Sequence, residues 1–323
     1  MNYRRLGRSG LKVGELSLGS WVTFGTQLDV SGAMALMRLA YEAGVNFFDN
    51  AEGYAGGESE RIMGEALKKL GWPRDSWIVS SKVFFGCTAN PRPTQRGLSR
   101  KHVVDACNQA LVRLQVDYLD LYFCHRPDPE TPIEETVRAM DMLIRQGKVL
   151  YWGTSEWSAR EIVEANAVAG QHGLTPPTME QPQYNLFTRE RVEQEYAPLY
   201  ERYGMGATIW SPLATGLLTG KYNHGVPADS RLNLPGYGWL RERMETPEGK
   251  RNLALVPQLA ALAAELDLSL PRLAVAWCLR NPNVSTVMLG ASKPSQLQEN
   301  LLAGDDAAML TDDVMSRIAS ILS

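Results

Sequence analysis

Short apolar runs of β character alternate with segments of helical period along most of this chain, and that alternation restricts its fold more than any other feature. The runs fall at 15–18, 45–48, 77–81, 118–124, 150–153, 178–180, 207–210 and 285–289. Between them, 33–43, 59–70, 101–114, 133–146, 159–171 and 189–202 carry apolar residues at the spacing of amphipathic helices. Strands that alternate strictly with helices run parallel and are joined by crossovers. Eight repeats of the unit predict a closed (β/α)8 TIM barrel, with an open doubly wound sheet as the alternative; no G-x-G-x-x-G follows the first run, which weighs against the open sheet. At 323 residues the chain fits one such domain, 1–323. Ahead of the first run, Leu6-Gly7-Arg8-Ser9-Gly10-Leu11 sets turn residues between short apolar-bearing segments and predicts an N-terminal β-hairpin. One stretch breaks the rhythm. From Pro212 to about Gly249 the chain is rich in Gly and Pro and too long for an ordinary connection, which predicts a functional loop.

Composition excludes several classes. With 44% hydrophobic and 21% charged residues and a net charge of −3, the chain can bury a core and offers no electrostatic case for nucleic acid or an anionic membrane as partner. The basic cluster Ser99-Arg100-Lys101-His102 is short and opens a helix. Cys87, Cys107, Cys124 and Cys278 are far apart, so neither a metal site nor a disulfide framework is expected. No stretch of about 18 uninterrupted apolar residues is present, and the first residues lack the apolar core of a signal peptide. The expectation is a cytoplasmic protein without membrane insertion.

In a closed α/β barrel the active site forms at the carboxyl ends of the strands. Four polar residues follow the early runs: Asp49 after Phe48, Tyr54 in the same loop, Lys82 after Ser81 and His125 after Cys124. Singly, each has an ordinary explanation as a cap, a packing residue or a surface charge. Together they make a chemically coherent set. An ammonium favours the phenolate of a neighbouring tyrosine, a carboxylate holds the ammonium, and an imidazole directs a hydrogen bond to a carbonyl oxygen.

Phe48-Asp49-Asn50-Ala51-Glu52-Gly53-Tyr54, Ser81-Lys82 and Asp120-Leu121-Tyr122-Phe123-Cys124-His125-Arg126-Pro127 resemble, in order, the signatures of the aldo-keto reductases, and the resemblance covers nearly the whole chain. Leu18-Gly19-Ser20-Trp21-Val22-Thr23-Phe24-Gly25, Gly97-Leu98-Ser99-Arg100-Lys101-His102, Tyr151-Trp152-Gly153-Thr154-Ser155 and Leu289-Gly290-Ala291-Ser292 resemble the branch of the voltage-gated potassium channel β-subunits and their bacterial and plant relatives. The resemblance implies NAD(P)H-dependent reduction of aldehydes and ketones, with Tyr54 as general acid, Lys82 and Asp49 tuning it and His125 orienting the substrate.

It also implies a cofactor site. Trp210 matches the aromatic residue that stacks on the nicotinamide, and Ser155 and Gln181 match those that hold its carboxamide, with Ser20, Trp21, Gln27 and Asp49 nearby. Ser211, Pro212, Leu213, Thr215, Gly216, Leu217 and Lys221 resemble the loop over the pyrophosphate, where small residues let backbone N–H groups approach phosphate. Gly290, Ser292, Gln296, Glu299 and Asn300, with Arg231, match the adenosine end. Many relatives place Lys after this strand to grip the 2′-phosphate of NADPH, where this chain has Ala291; Lys293 or Arg231 is the substitute cation. NADPH is therefore the expected cofactor, with NADH the alternative. Glu156 departs from the family's Asn or Arg, which is expected to alter cofactor affinity. Trp21, Tyr54, Phe84, Phe85, His125 and Tyr184 are the expected substrate pocket for a small carbonyl compound.

Two other functions share this sequence pattern. A channel-associated subunit of low turnover is one; His125, where the animal subunits carry Asn, and the short segment before Tyr3, with no arm expected to reach a pore, weigh against it. An isomerase or aldolase using Lys82 as nucleophile is the other. The resemblance further implies a homo-oligomer, with the tetramer of the branch's relatives as the expected form.

Overall fold

The structure, a computed structural model, describes every residue except 224, 229 and 235, and of Arg231 the backbone alone. A two-stranded antiparallel sheet comes first, β1 Tyr3–Arg5 paired with β2 Lys12–Gly14. Eight parallel strands follow: β3 Leu16–Gly19, β4 Phe47–Asp49, β5 Ile78–Val83, β6 Leu119–Cys124, β7 Val149–Thr154, β8 Met179–Glu180, β9 Gly206–Ile209 and β10 Val284–Leu289. β10 pairs with both β9 and β3, so the sheet closes in chain order, and the predicted barrel and hairpin are both present.

Around the barrel lie α1 Val30–Glu42, α2 Glu58–Leu70, α3 Arg100–Leu114, α4 Ile133–Arg145, α5 Ala159–His172, α6 Ala197–Tyr203, α7 Gly238–Glu245, α8 Pro247–Glu265, α9 Leu270–Leu279, α10 Pro294–Leu301, the short α11 Ala303–Asp306 and α12 Asp312–Leu322. Their starts follow local chemistry. Asp29, Ser99, Ser158, Ser269 and Thr311 each accept a backbone N–H of the first turn of the helix they precede. The helix expected over 189–202 is instead divided into a π turn, Arg191–Glu195, and α6, because Pro198 in the first turn of α6 has no N–H to donate. The stretch after Pro212 is also more regular than its composition predicts: it holds 3-10 turns at Ala214–Thr219 and Arg231–Asn233, then α7.

Strand residues alternate between two cores. Outward side chains such as Phe48, Val79, Tyr122 and Cys124 pack under the helices. Inward ones, Phe47, Ile78, Leu121, Phe123, Met179 and Met288, fill the barrel, and Leu6 and Val13 of the hairpin join them. The hairpin thus plugs the amino-terminal end, leaving the carboxyl ends as the open mouth. Among the described residues, no single helix is long and apolar enough to cross a membrane.

Candidate active site

The alternation that fills the barrel also delivers the site. Counting by twos from inward residues, 47 leads to 49, 78 to 80 and 82, 121 and 123 to 125, 179 to 181, and 208 to 210. Each series ends in a polar or aromatic side chain at the mouth: Asp49, Lys82, His125, Gln181 and Trp210. Outward neighbours take other partners; Ser81 donates to Glu60 Oε1 of α2 (2.5 Å), and Arg113 Nε of α3 donates to Glu60 Oε2 (2.6 Å).

Lys82 is the centre of the polar group. Its fully buried Nζ donates to Asp49 Oδ2 (2.5 Å), the Asn50 carbonyl (2.8 Å) and the Tyr54 hydroxyl oxygen (3.1 Å). The other Asp49 oxygen accepts from Ser80 Oγ (2.7 Å) and Gln181 Nε2 (3.2 Å). Tyr54 is followed at once by left-handed residues, Ala55, Gly56 and Gly57, where the loop doubles back. Ala55 is the strained member, since side chains disfavour that region. Glu52, one turn earlier, accepts from the N–H groups of Phe84 (2.8 Å) and Gly86 (2.9 Å), which ties the loop after β5 to the loop after β4 and presents Phe85 at the mouth. Tyr54, His125 and Phe85 meet edge to face, with centroids 5.7 and 5.1 Å apart.

Electrostatics settle which groups are charged. Burial opposes the Lys82 ammonium, but Asp49 and Tyr54 favour it more, and its pKa is raised. Burial also pushes the Tyr54 hydroxyl above the usual phenol value, and the Lys82 charge offsets this only in part. The sequence argument that the ammonium favours the phenolate has the sign of that interaction right; desolvation, which the sequence does not report, outweighs it. The hydroxyl keeps its proton. His125 is held well below the ordinary imidazole value by burial, with Lys82 and Arg126 adding to the effect, so the ring is neutral. Its buried Nδ1 has no hydrogen-bond partner.

These groups open onto a cavity of about 760 Å³, within the range of ligand sites. It extends from Trp21, Asp49, Tyr54, Phe85 and His125, past Ser155, Gln181 and Trp210, along Ser211, Pro212, Leu213, Thr215, Gly216 and Lys221, to Gly290, Gln296, Glu299 and Asn300. Ser211, Ala214, Thr215 and Gly216 have positive φ, and backbone turning this way forms concavities that bind anions through N–H groups. An elongated cleft with an anion-binding loop midway and an aromatic and amide end beside Tyr54 fits a nicotinamide dinucleotide.

Several expected residues lie elsewhere. Tyr184 does not line the cavity. Its ring stacks at a tilt on Trp277 (5.0 Å between centroids) and its hydroxyl donates to Glu193 (2.8 Å), so it is a core residue. Phe84 packs half-buried against the outer core, the opposite face from Phe85. Gln27 is exposed and outside the lining. Ser20 is buried beneath it, donating to the Asp49 carbonyl (2.9 Å). Leu217 is buried, and Ser292 binds Gln296 through its N–H (3.0 Å) instead of facing the cleft. The Arg231 side chain lies outside the described residues.

Other lining residues were not anticipated: Arg126, Thr219, Tyr237, Trp239 and the start of α9 at Ser269, Leu270 and Pro271. Trp239 is 45% exposed and lies against Trp21 (6.4 Å between centroids). A large apolar ring inside a Gly- and Pro-rich stretch was the available signal.

The chain resembles known proteins along nearly its whole length. A family model described as the aldo/keto reductase family matches residues 15–323. A protein of Oryza sativa subsp. japonica named "Probable voltage-gated potassium channel subunit beta" is 52% identical over 323 residues, covering 100% of this chain and 97% of the relative. One of the same name from Arabidopsis thaliana is 50% identical over the same span, with the same coverage.

Proposed function

Because the chain belongs to the aldo/keto reductase family, a family of oxidoreductases, we propose that it reduces aldehydes and ketones to alcohols with NADPH, NADH being the poorer cofactor, and that Tyr54 delivers the proton. The observation that carries this reading is the Tyr54 hydroxyl at the cavity wall, 3.1 Å from an ammonium that a buried carboxylate holds at 2.5 Å.

When bound, the dinucleotide supplies the hydride, which goes to the carbonyl carbon. The chain's own residues handle the oxygen. Neutral His125 donates a hydrogen bond that orients the carbonyl, and Tyr54 passes its proton to the oxygen as negative charge builds there. The phenolate so formed faces Lys82, whose charge is already in place, so the stabilisation requires no reorganisation at that moment. Ser155, Gln181 and Trp210 would hold the nicotinamide end, the Ser211–Gly216 loop and Lys221 the pyrophosphate, and Gln296, Glu299 and Asn300 the adenosine end. The aromatic walls, Trp21, Phe85 and Trp239, favour substrates with an apolar body.

Lys82 is a poor candidate for a Schiff-base nucleophile, because a fully buried, paired ammonium has no free lone pair. A channel-associated role is the second reading, favoured by the printed names of the two plant relatives; His125 in place of the animal subunits' Asn favours turnover. Self-association, up to a tetramer, and a cytoplasmic location belong to the same proposal. The test is a panel of aldehydes and ketones assayed by loss of NADPH absorbance, with tryptophan quenching by NADPH read in parallel. Quenching with turnover is expected. Quenching without turnover on any carbonyl leaves the channel reading ahead, and neither signal removes the dinucleotide site.

A further inference from the structure

The cavity's nicotinamide end is assembled from three separate loops, and one side chain, which the sequence marked only as a departure from the family pattern, touches them all. Glu156 follows β7, next to Ser155. Its Oε1 accepts from the backbone N–H of Gln183 (2.6 Å), in the loop after β8, and from the indole Nε1 of Trp210 (2.9 Å), at the end of β9. Its Oε2 accepts from Arg191 Nη1 (2.7 Å). Arg191 is fixed in turn by Glu195 (3.3 Å), whose other oxygen accepts the Ala159 N–H at the start of α5 (2.7 Å).

We propose that Glu156 is a positioning residue for the cofactor, setting Ser155, Gln181 and Trp210 in register by accepting the Trp210 indole N–H and the Gln183 N–H on one carboxylate oxygen. The proposal rests on the dinucleotide reading given above.

Three points support it. All three of its partners are donors, which only an acceptor-only group can satisfy; a glutamine would turn its own N–H2 toward one of them. Glu156 also has a φ of 60°, a left-handed conformation that costs a non-glycine residue energy and here aims the carboxylate back across the mouth. Finally, an unrestrained indole would be free to turn. Trp210 is fixed at its backbone by bonds to Pro182 (3.0 Å) and from Tyr184 (3.2 Å) and its ring packs edge-on against Trp21 (6.2 Å between centroids), and the Nε1 bond adds a directional restraint on the indole. The Arg191 guanidinium, shared with Glu195, pairs with the second carboxylate oxygen.

The experiment starts in the cofactor-free protein. The indole ¹⁵N–¹H resonance of Trp210 is identified by its loss in Trp210→Phe, then followed in Glu156→Ala and Glu156→Gln. Displacement of the resonance and faster exchange with solvent are expected in the alanine variant. NADPH dissociation constants, from tryptophan quenching, should rise about tenfold in Glu156→Ala, and the same change made in Trp210→Phe should cost much less, because the two residues act through one bond. Glu156→Gln, which keeps one acceptor, should fall between and serves as the test if the alanine variant does not fold. An unmoved indole resonance, or a dissociation constant changed equally in both backgrounds, overturns the proposal and reduces Glu156 to a fold-holding residue. A wild-type protein that binds neither NADPH nor NADH refutes the dinucleotide reading instead, which the unchanged indole contact would make plain.

Discussion

On the β4 to β6 side of the barrel mouth, Asp49, Lys82 and His125 are at most 7% exposed and hang from strand ends, and Asp49 accepts hydrogen bonds from Lys82 and from Ser80, both of β5. The β9 to β10 side is a loop, Ser211 to Lys221, with left-handed backbone at five positions and an exposed tryptophan beyond it. The first side carries chemistry with side chains whose positions the sheet fixes. On the proposed function the second has only to follow a flexible, charged dinucleotide, and can do so with backbone N–H groups. The proposed function thus has precision where the proton would move, and adaptability where the ligand would be held. Variants on the first side should therefore alter rate or global stability, and those on the second should alter affinity.

The largest break expected is Tyr54→Phe. Removing a general acid costs about 10²–10⁴ in rate, so kcat for carbonyl reduction should fall by that much with the NADPH dissociation constant nearly unchanged. The pH profile sharpens the same point. The protonated phenol is the active form and its pKa is raised above 10.0, so reduction should hold through neutral and mildly alkaline pH and be lost only as the pH rises through that raised value. A wild-type rate that falls off near pH 8 would assign the proton to another group.

Next comes Lys82→Met, which strands the Asp49 carboxylate in the barrel. Breaking a buried pair from one side costs about 3–5 kcal/mol, and urea unfolding should show a loss of that order. Adding Asp49→Leu should recover part of it, since no charge is then left uncompensated. If the single variant is as stable as wild type, the pair is not buried as described, and the contrast between the two sides fails.

On the loop side, Gly216→Ala should act on affinity alone. Gly216 has a φ of 101°, and an added Cβ would sit 3.2 Å from Lys221 Cε. Strain of this kind costs about 1–3 kcal/mol; relieved by a shift of the loop, it should weaken NADPH binding roughly tenfold, with kcat at saturation unchanged. A fall in kcat with binding intact would show that the loop takes part in the chemistry.

The same contrast governs what the sequence could reveal. Strand-end residues are legible because a strand has a two-residue period and its polar terminus interrupts an apolar run, which placed Asp49, Lys82 and His125 correctly. Tyr54 was legible only through the chemistry of its neighbours and the family resemblance. Loops have no period. Phe84 and Phe85 are adjacent, and nothing local says that Phe85 faces the mouth; the two Glu52 bonds that decide it span more than 30 residues. Tyr184 was misplaced because its partners, Glu193 and Trp277, come from later in the chain. Glu52 and Glu156 stand in recognisable segments, yet their roles as ties between loops depend on distances that no spacing encodes. The phenol's raised pKa is a property of burial, which a motif does not report.

The smallest effect expected concerns the choice between NADPH and NADH. Ala291, where many relatives carry Lys, is 3% exposed and packed in the outer core, so this position cannot present a cation to a phosphate without unpacking. The nearby candidate is Lys293, exposed at the start of α10, where a helix amino terminus also favours an anion. An exposed charge acting through solvent is worth about 1 kcal/mol or less. Lys293→Ala should thus lower the preference for NADPH over NADH only several-fold, leave NADH affinity unchanged, and lose most of its effect at high salt, where screening removes what an exposed lysine contributes. A loss of a hundredfold or more would mean instead that the phosphate is bound in a desolvated pocket, and that the loop side of the mouth is as tightly built as the side that moves the proton.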